Sequence, residues 1–256
     1  MNKSGFVWYE LMTSGDLDPE VAFYKNVVGW DVKDSGMPGM QYLLFGKDGK
    51  DVGGMMSWKS VGMDLPTEWV AHIHTTDVDA EVASVVKDGG TQIQPPRDIP
   101  GVGRFAVVTD PQGAKYLLFQ PGPGSAPPRL AQNEVGNVGW NELATTDWQK
   151  AWEFYSKHYG WEKDFAIDMK EMGTYQTFRT DTDKYIGAMM NIAPFMKAKP
   201  GWFFYFQVPD ADAGAKRITD NGGTITHGPA DVPGGSRIVQ GIDPQGGNFA
   251  LVSTTA

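Results

Sequence analysis

The chain has 256 residues, a formal net charge of -9 and no cysteine. The lack of cysteine excludes disulfides, thiolate metal ligands and cysteine nucleophiles, and it fits a reducing compartment, so we expect a cytoplasmic protein. Lys and Arg form no clusters, which argues against nucleic acid or an anionic membrane as a partner and favours a small organic molecule. No run of 18 apolar residues occurs, so no membrane span is predicted.

The first quarter of the chain predicts one strand, one helix and three more strands. Residues 6–12 have the composition of a half-buried strand. Asp18, Pro19 and Glu20 then mark a helix start, because proline suits the first turn and acidic side chains favour the positive end of the helix dipole. Gly29 ends this helix. Short strands follow at about residues 30–33, 41–45 and 52–58.

The second quarter repeats this order, which we call a βαβββ module. A strand is predicted at residues 68–75, and Asp77 and Asp79 mark the start of the second helix. Gly89 and Gly90 end it. Three strands follow at about residues 91–94, 104–108 and 115–120.

The second half of the chain repeats the first half at an offset of 131 to 134 residues. Trp8-Tyr9-Glu10-Leu11 returns as Trp140-Asn141-Glu142-Leu143, and Asp110-Pro111-Gln112-Gly113 returns as Asp243-Pro244-Gln245-Gly246. Helices are predicted at residues 148–159 and 210–221. Each copy is long enough to bury its own core, so the repeat predicts two tandem domains rather than a solenoid.

A run rich in proline and glycine separates the two copies. It cannot hold a helix or a central strand. We therefore predict a first domain at residues 1–121, a linker at 122–132 and a second domain at 133–256. The predicted fold class is α+β: four βαβββ modules paired into two tandem domains, each with a curved, cup-shaped sheet. Pairing within one chain is compatible with a monomer.

These ordered motifs resemble the vicinal oxygen chelate superfamily, which includes glyoxalases, extradiol dioxygenases, fosfomycin-resistance enzymes and bleomycin-binding proteins. The resemblance covers nearly the whole chain. It rests on the acidic turn before the first helix, on Phe23-Tyr24 and Gly29-Trp30 at its end, and on the Asp-Pro-Gln-Gly turn before the last strand of each half. It implies a tandem, glyoxalase-like fold with one cup in each half.

The resemblance also implies positions for metal ligands, and this chain has other residues there. Metal-using members carry ligands on the first strand of each module and a Glu on the last strand. The first-strand position falls on Trp8 and Trp140, and the last-strand position falls on Leu117 and Ala250. Because none of these side chains is a metal ligand, we expect no metal site at the usual place.

Strand alternation predicts a different polar group in the first cup, because residues two apart on a strand share a face. Glu10 is predicted to face the cup from the first strand, and His72 and His74 from the strand at residues 68–75. A carboxylate and two imidazoles are the catalytic candidates of this protein. No cofactor is predicted with them.

Three interpretations of Glu10, His72 and His74 remain open. The least favoured is a displaced site for a divalent metal with two His ligands and one carboxylate. The second is an acid-base pair, because an imidazole titrates near neutral pH and a carboxylate can orient it. The third is a polar cavity in which the histidines only hydrogen-bond to a ligand.

Further residues are candidates for ligand binding in the first cup. The alternation places Trp8, Met12 and Phe119 on the cup face. Arg104 follows a glycine-rich turn at a strand start, from which a guanidinium could close over an anionic ligand. A solvated Arg at the end of a strand is the alternative for Arg104.

The second cup is predicted to bind rather than to catalyse. Tyr205 and Gln207 stand where His72 and His74 stand in the first copy, so acid-base chemistry near neutral pH is less expected there. The predicted ligand-binding residues of this cup are Trp140, Glu142, Phe203, Tyr205, Gln207 and Asn248.

The sequence therefore favours a glyoxalase-like protein that acts on a small organic molecule in the first cup without the usual metal ligands. Lyase, isomerase or hydrolytic chemistry would fit a histidine with a neighbouring carboxylate. The alternative is a non-catalytic protein that binds or sequesters a small molecule, as the bleomycin-resistance members do.

Overall fold

The structure is a computed structural model, and it describes residues 4–124, 131–180 and 185–254. Part of the predicted linker, residues 125–130, lies outside the described residues. Within the described residues, no helix is long and apolar enough to cross a membrane.

Four βαβββ modules follow one another along the chain, as predicted. The first contains β1 (Phe6–Thr13), α1 (Leu17–Val27), β2 (Asp31–Asp34), β3 (Leu43–Lys47) and β4 (Lys50–Ser57), with a 3-10 turn at Trp58–Val61. The second contains β5 (Glu68–His74), α2 (Val78–Lys87), β6 (Thr91–Ile99), β7 (Gly103–Thr109) and β8 (Lys115–Pro121). The third contains β9 (Val138–Thr145), α3 (Trp148–Tyr159), β10 (Glu162–Asp168), β11 (Thr174–Arg179) and β12 (Tyr185–Asn191), with a 3-10 turn at Lys170–Met172. The fourth contains β13 (Gly201–Gln207), α4 (Ala211–Asp220), β14 (Thr224–Val232), β15 (Ser236–Ile242) and β16 (Asn248–Thr254).

Each half of the chain builds one eight-stranded, curved sheet, which confirms the predicted fold class. The N-terminal sheet has the order β2-β3-β4-β1-β5-β8-β7-β6, and the C-terminal sheet has the equivalent order β10-β11-β12-β9-β13-β16-β15-β14. We call the concave faces of these sheets the first cup and the second cup. Prolines occur in the outermost strands, Pro95 and Pro96 in β6 and Pro229 in β14, where a missing backbone donor costs no inner ladder bond.

The acidic residues before three of the helices act as N-caps. The carboxylate of Asp77 accepts a hydrogen bond from the backbone N–H of Ala80 at 3.0 Å, and Asp147 caps α3 in the same way through Lys150 at 3.1 Å. Asp210 accepts from two backbone N–H groups at the start of α4. Helix N-termini carry N–H groups without partners in the helix, so these carboxylates fix where each helix begins.

The chain folds into two compact units, and each combines modules from both halves. Unit 1 contains the second and third modules, in residues 4–8, 70–124, 141–180 and 185–202. Unit 2 contains the first and fourth modules, in residues 9–69, 131–140 and 203–254. The boundaries at 121 and 133 that the sequence suggests stay a prediction.

The Asp-Pro-Gln-Gly turn of unit 1 ties its two modules together. One oxygen of Asp110 accepts from the backbone N–H groups of Gln112 and Ala114, both at 2.9 Å, and the other accepts from the Tyr155 hydroxyl at 3.3 Å. The Gln112 side chain accepts from the backbone N–H of Asp147 and donates to the Asp147 carbonyl at 2.8 Å. The turn is therefore hydrogen-bonded both to the N-cap of α3 and to the Tyr155 side chain of that helix.

The equivalent turn of unit 2 makes the same contacts. Asp243 accepts from the N–H groups of Gln245 and Gly247 at 3.0 and 2.8 Å, and from the Tyr24 hydroxyl at 2.9 Å. The side chain of Gln245 donates to the Asp16 carbonyl just before α1 at 2.8 Å. The strongest motif of the sequence repeat is thus a structural tie between modules that lie far apart in the sequence.

Candidate functional site

Unit 1 carries the two histidines of the first cup. His72 and His74 lie on β5, and they are paired in register with Leu117 and Phe119 of the parallel strand β8. His72 is 5% exposed, and its ring meets the edge of the Phe119 ring at a centroid distance of 5.9 Å. His74 is half-buried, and its backbone N–H donates to the Gly5 carbonyl at 3.0 Å. An imidazole therefore lies against an aromatic wall on this face of the sheet.

Unit 2 carries the carboxylate and an apolar wall. Glu10 is buried on β1, where its register partner on the parallel strand β4 is Gly54. Two residues further on, Met12 is paired with Met56. Both methionines pack against Trp58, and Met40 and Tyr42 complete the cluster. Met12, Met56 and Trp58 are buried, and methionine side chains adapt their shape easily to such neighbours.

Trp8, the first of the predicted binding residues, is half-buried at the last position of the first segment of unit 1. Leu117 lies on β8, between its register partner His72 on β5 and a residue of β7, and its side chain is buried. Its antiparallel partner is Val107 on β7. The row across this part of the first cup is therefore His72, Leu117 and Val107.

The same row in the second cup is built from Tyr205, Ala250 and Gln240. Tyr205 is paired with Ala250, and Ala250 is paired with Gln240 on the next strand. The amide of Gln240 donates to the Tyr205 hydroxyl at 2.8 Å. Alanine at the middle position leaves the tyrosine room to reach across the strand, so the phenol is held by a fixed partner where the first cup has an imidazole.

Aromatic side chains surround this row in unit 2. Tyr205 and Ala250 belong to a buried cluster, and Trp140 and Phe203 pack against it half-buried. The Phe203 and Tyr205 rings meet edge to face at 5.5 Å. Gln207 is buried, and its backbone is hydrogen-bonded to the segment just before β9 at Gly136 and Asn137, both at 2.8 Å. Asn248 is exposed at the start of β16.

Glu142 lies in unit 1 and has a partner that the sequence reasoning missed. The Tyr175 hydroxyl, on β11, donates to one carboxylate oxygen of Glu142 at 2.8 Å. Ala188 on β12 is the register partner of Glu142. A phenol and a carboxylate are therefore joined on this part of the C-terminal sheet.

The guanidinium of Arg104 is occupied by two carboxylates. Asp79 binds it through two hydrogen bonds of 2.7 and 3.0 Å, and Asp98 binds it through a third of 2.9 Å. Arg237 makes the equivalent bonds to Asp212 and Asp231. These contacts hold the arginine beside the start of α2, so ligand binding by Arg104 stays a prediction with no geometric support.

Two surface cavities of about 370 and 510 Å³ occur elsewhere. The smaller is lined by residues of α1 in unit 2. The larger, in unit 1, lies beside the Asp-Pro-Gln-Gly turn and α3. None of the predicted site residues lines either cavity.

Comparison with known proteins places both halves in one family. The family described as "Glyoxalase/Bleomycin resistance protein/Dioxygenase superfamily" matches residues 137–251, and a related family described as "Glyoxalase-like domain" matches residues 11–119. The chain is 32% identical over 251 residues to the putative glyoxylase CFP32 of Mycobacterium tuberculosis, with 96% of this chain and 93% of that protein covered. The chain belongs to the glyoxalase/bleomycin resistance/dioxygenase superfamily.

Other proteins that are similar to this chain differ in what their names describe. The chain is 30% identical over 260 residues to the anthracycline biosynthesis protein DauV of a Streptomyces species, with 96% of this chain and 91% of that protein covered. Among solved structures, the 2,3-dioxygenase LapB of Pseudomonas has a TM-score of 0.68 at 14% identity, covering 100% of this chain and 94% of that chain. A Mn(II)-bound glyoxalase of Novosphingobium aromaticivorans has a TM-score of 0.67 at 18% identity, covering 98% and 82%. These structures share the fold.

The residues of this chain do not fit the metal that the superfamily implies. The resemblance implies ligand positions at Trp8, Trp140, Leu117 and Ala250, and these side chains offer no metal-ligating atom. Across the described parts of the chain, which include Glu10 and both first-cup histidines, no three His, Cys, Asp or Glu side chains are grouped to hold a metal ion. The displaced metal site is therefore not supported.

The structure adds three site residues that the sequence reasoning missed: Tyr42, Tyr175 and Gln240. The two tyrosines repeat at an offset of 133 residues, a signal that was present in the sequence. Gln240 aligns with Val107 at the same offset, so the replacement of Val by Gln accompanies the replacement of His72 by Tyr205.

Proposed function

We propose that this protein is a metal-independent, glyoxalase-like enzyme that rearranges or cleaves a small organic molecule in the first cup by proton transfer. His72 or His74 takes a proton from the substrate and returns it to another atom of the product. Glu10 orients the imidazole or shares its proton. The observation that carries the proposal is the environment of His72, a titratable ring set against Phe119 at the position where the second cup has the hydrogen-bonded Tyr205.

Proton transfer to an imidazole requires a small substrate that carries an acidic proton. An imidazole of His72 or His74 supplies the proton acceptor. The name of the mycobacterial relative points to glyoxylate or related small oxo compounds as the first molecules to test.

The proposal predicts loss of turnover without loss of fold when the first-cup histidines are replaced. His72→Gln and His74→Gln keep hydrogen-bonding capacity and remove the titratable ring, so at least one should lower turnover by about 100-fold or more. The measurement is NMR of substrate consumption, using glyoxylate and methylglyoxal with and without added thiol. Thermal unfolding verifies that each variant is folded.

The matched control is His227→Gln, because His227 is exposed on β14 in the C-terminal sheet. It should leave turnover unchanged. Equal activity in the wild type and in both first-cup variants would contradict the proposal, as would equal loss in the control.

A second candidate function is supported by the apolar walls of both cups. A binding protein needs adaptable apolar contact and no proton transfer, and the clusters around Met12 and around Tyr205 provide such contact. The anthracycline biosynthesis relative suggests a planar aromatic ligand as the probe. In this case Trp140→Ala should weaken binding of an anthracycline in a fluorescence titration, and both histidine variants should bind as the wild type does.

A further inference from the structure

A glycine in the first cup makes room for a tyrosine beside Glu10. Gly54 is the register partner of Glu10 on the adjacent parallel strand, so a side chain at Gly54 would point to the same face as Glu10. A Cβ atom added at Gly54 would collide with the hydroxyl and the ring of Tyr42. The phenol therefore occupies the place that a side chain at Gly54 would take.

This position brings the Tyr42 hydroxyl within reach of the Glu10 carboxylate. Neighbouring strands lie about 4.8 Å apart, and a glutamate side chain has two methylene groups with which to span that gap. The backbone carbonyl of Tyr42 accepts a hydrogen bond from the Ser35 N–H at 2.9 Å, and its ring packs against the cluster around Met12 and Met56. Backbone and ring are thus both held.

The third module shows the same two residue types joined. Tyr175 and Glu142, the equivalents of Tyr42 and Glu10, form a hydrogen bond of 2.8 Å. There the register partner of the glutamate is Ala188, also a small residue. Two copies of the module therefore combine a tyrosine, a glutamate and a small residue at matching places.

We propose that Tyr42 is a positioning residue for Glu10: its hydroxyl, seated over Gly54, donates a hydrogen bond to the Glu10 carboxylate and fixes where that carboxylate points. The role in turnover rests on the proposed function of Glu10, whereas the hydrogen bond does not. Tyr42 then leaves one carboxylate oxygen of Glu10 for other partners. The backbone of Gly54 does not have a positive φ angle, so glycine is not needed there for its conformation. Glycine matters at this position because the absence of a Cβ atom leaves space for the Tyr42 ring.

The test uses protein with carbon-13 at Cζ of tyrosine, because this resonance shifts when the partner of the phenol changes. Tyr42→Phe and Tyr175→Phe identify the two resonances by their loss. Glu10→Gln should shift the Tyr42 resonance and leave that of Tyr175 in place, and Glu142→Gln should do the reverse. Met56→Leu, which alters packing in the same cluster, should leave the Tyr42 resonance close to its wild-type position.

A double-mutant cycle gives the strength of the contact. Tyr42→Phe and Glu10→Gln should be coupled by about tenfold in the unfolding equilibrium constant, similar to the coupling between Tyr175→Phe and Glu142→Gln. Gly54→Ala should displace the ring and shift the Tyr42 resonance with the hydroxyl still present. An unmoved Tyr42 resonance in folded Glu10→Gln overturns the inference. A shifted resonance without turnover of any tested compound contradicts the proposed function alone.

Discussion

The two compact units contain the same buried arrangement of Trp, Tyr and Asp, and among the neighbouring residues that differ is a carboxylic acid found in unit 2. In unit 1, Trp202 donates to the Tyr155 hydroxyl at 3.1 Å and Tyr155 donates to Asp110. In unit 2, Trp69 donates to the Tyr24 hydroxyl at 2.9 Å and Tyr24 donates to Asp243. We call each arrangement a triad. Substitution of that neighbour therefore tests its effect on a triad whose own three residues are the same in both units.

The differing neighbour is Glu20, which aligns with Ala151 of unit 1. Glu20 has no exposed surface, and neither carboxylate oxygen has a hydrogen-bond partner in the described part of the chain. Burial, together with the nearby charge of Asp243, raises the pKa of Glu20 to about 8. Ala151 is also fully buried. Unit 2 thus carries a buried carboxyl group that stays protonated at neutral pH, and unit 1 carries a methyl group.

The tie between modules is therefore the same in both units, whereas the residues around it differ. Burial raises the pKa of both Asp110 and Asp243, and in each case backbone N–H donors and a tyrosine hydroxyl oppose that rise. In unit 2 the charge of Asp243 also contributes to the raised pKa of Glu20.

Replacing the triad aspartates should have the largest effect on stability. Asp110→Ala leaves two backbone N–H groups and the Tyr155 hydroxyl without their acceptor, and we expect a loss on the order of 3 kcal/mol in the free energy of unfolding. Asp243→Ala should cost less at pH 8, because it also removes the charge that faces Glu20. Urea unfolding of both variants gives the two values.

Asp64→Ala is the control for that comparison, because Asp64 is exposed and should be near neutral. A larger loss for Asp243→Ala than for Asp110→Ala would show that Glu20 does not weaken the triad of unit 2.

Removing the ionisable group at position 20 should change the pH dependence of folding. A pKa raised from 4.5 to about 8 in the folded protein means that stability is fully present below about pH 4.5 and is lost as the pH rises toward 8. The slope is about 1.4 kcal/mol per pH unit, so Glu20→Gln should gain about 2 kcal/mol over the wild type between pH 6 and pH 7.5. Urea unfolding at several pH values measures the difference.

Asp18→Asn provides the matched control, since Asp18 is an exposed carboxylate on the same helix. It should not reproduce the gain. If Glu20→Gln and the wild type have parallel stability curves from pH 5 to pH 9, the buried carboxyl group does not titrate as the structure indicates.

The sequence predicts regular elements well where the signal is local. The predicted helix at residues 148–159 is α3, Trp148–Tyr159, because a capping Asp and a terminal Gly define it. Strand β6 extends to Ile99, beyond the predicted end at residue 94, because an edge strand tolerates Pro95 and Pro96. In the sequence, Pro95 and Pro96 predict the end of a strand. The order of strands in the sheet is needed to show that β6 is an edge strand, where proline is tolerated.

Contacts between residues far apart in the sequence could not be predicted from the sequence. Nothing local in α1 indicates that Glu20 faces Asp243, which is more than 200 residues away, or that the Asp-Pro-Gln-Gly turns clamp helices of another module. The candidate site has the same limit. Alternation places His72 and Tyr205 on a face, whereas the bond from Gln240 to Tyr205 depends on which strands become neighbours.

The tyrosine hydroxyls of the triads should give the smallest of these effects. Tyr24→Phe and Tyr155→Phe each remove one hydrogen bond to a buried aspartate and one from a tryptophan N–H, and each should cost about 1.5 kcal/mol. The loss should be greater for Tyr24→Phe, because its bond is shorter, at 2.9 against 3.3 Å, and because Asp243 then faces Glu20 without its hydroxyl donor. Placing Tyr24→Phe in the Glu20→Gln background separates the effect of Glu20 from that of bond length.

If Glu20 causes the greater loss, the free-energy cost of Tyr24→Phe in this background should approach that of Tyr155→Phe, as measured by urea unfolding at pH 8. If the difference persists unchanged, bond geometry alone accounts for it.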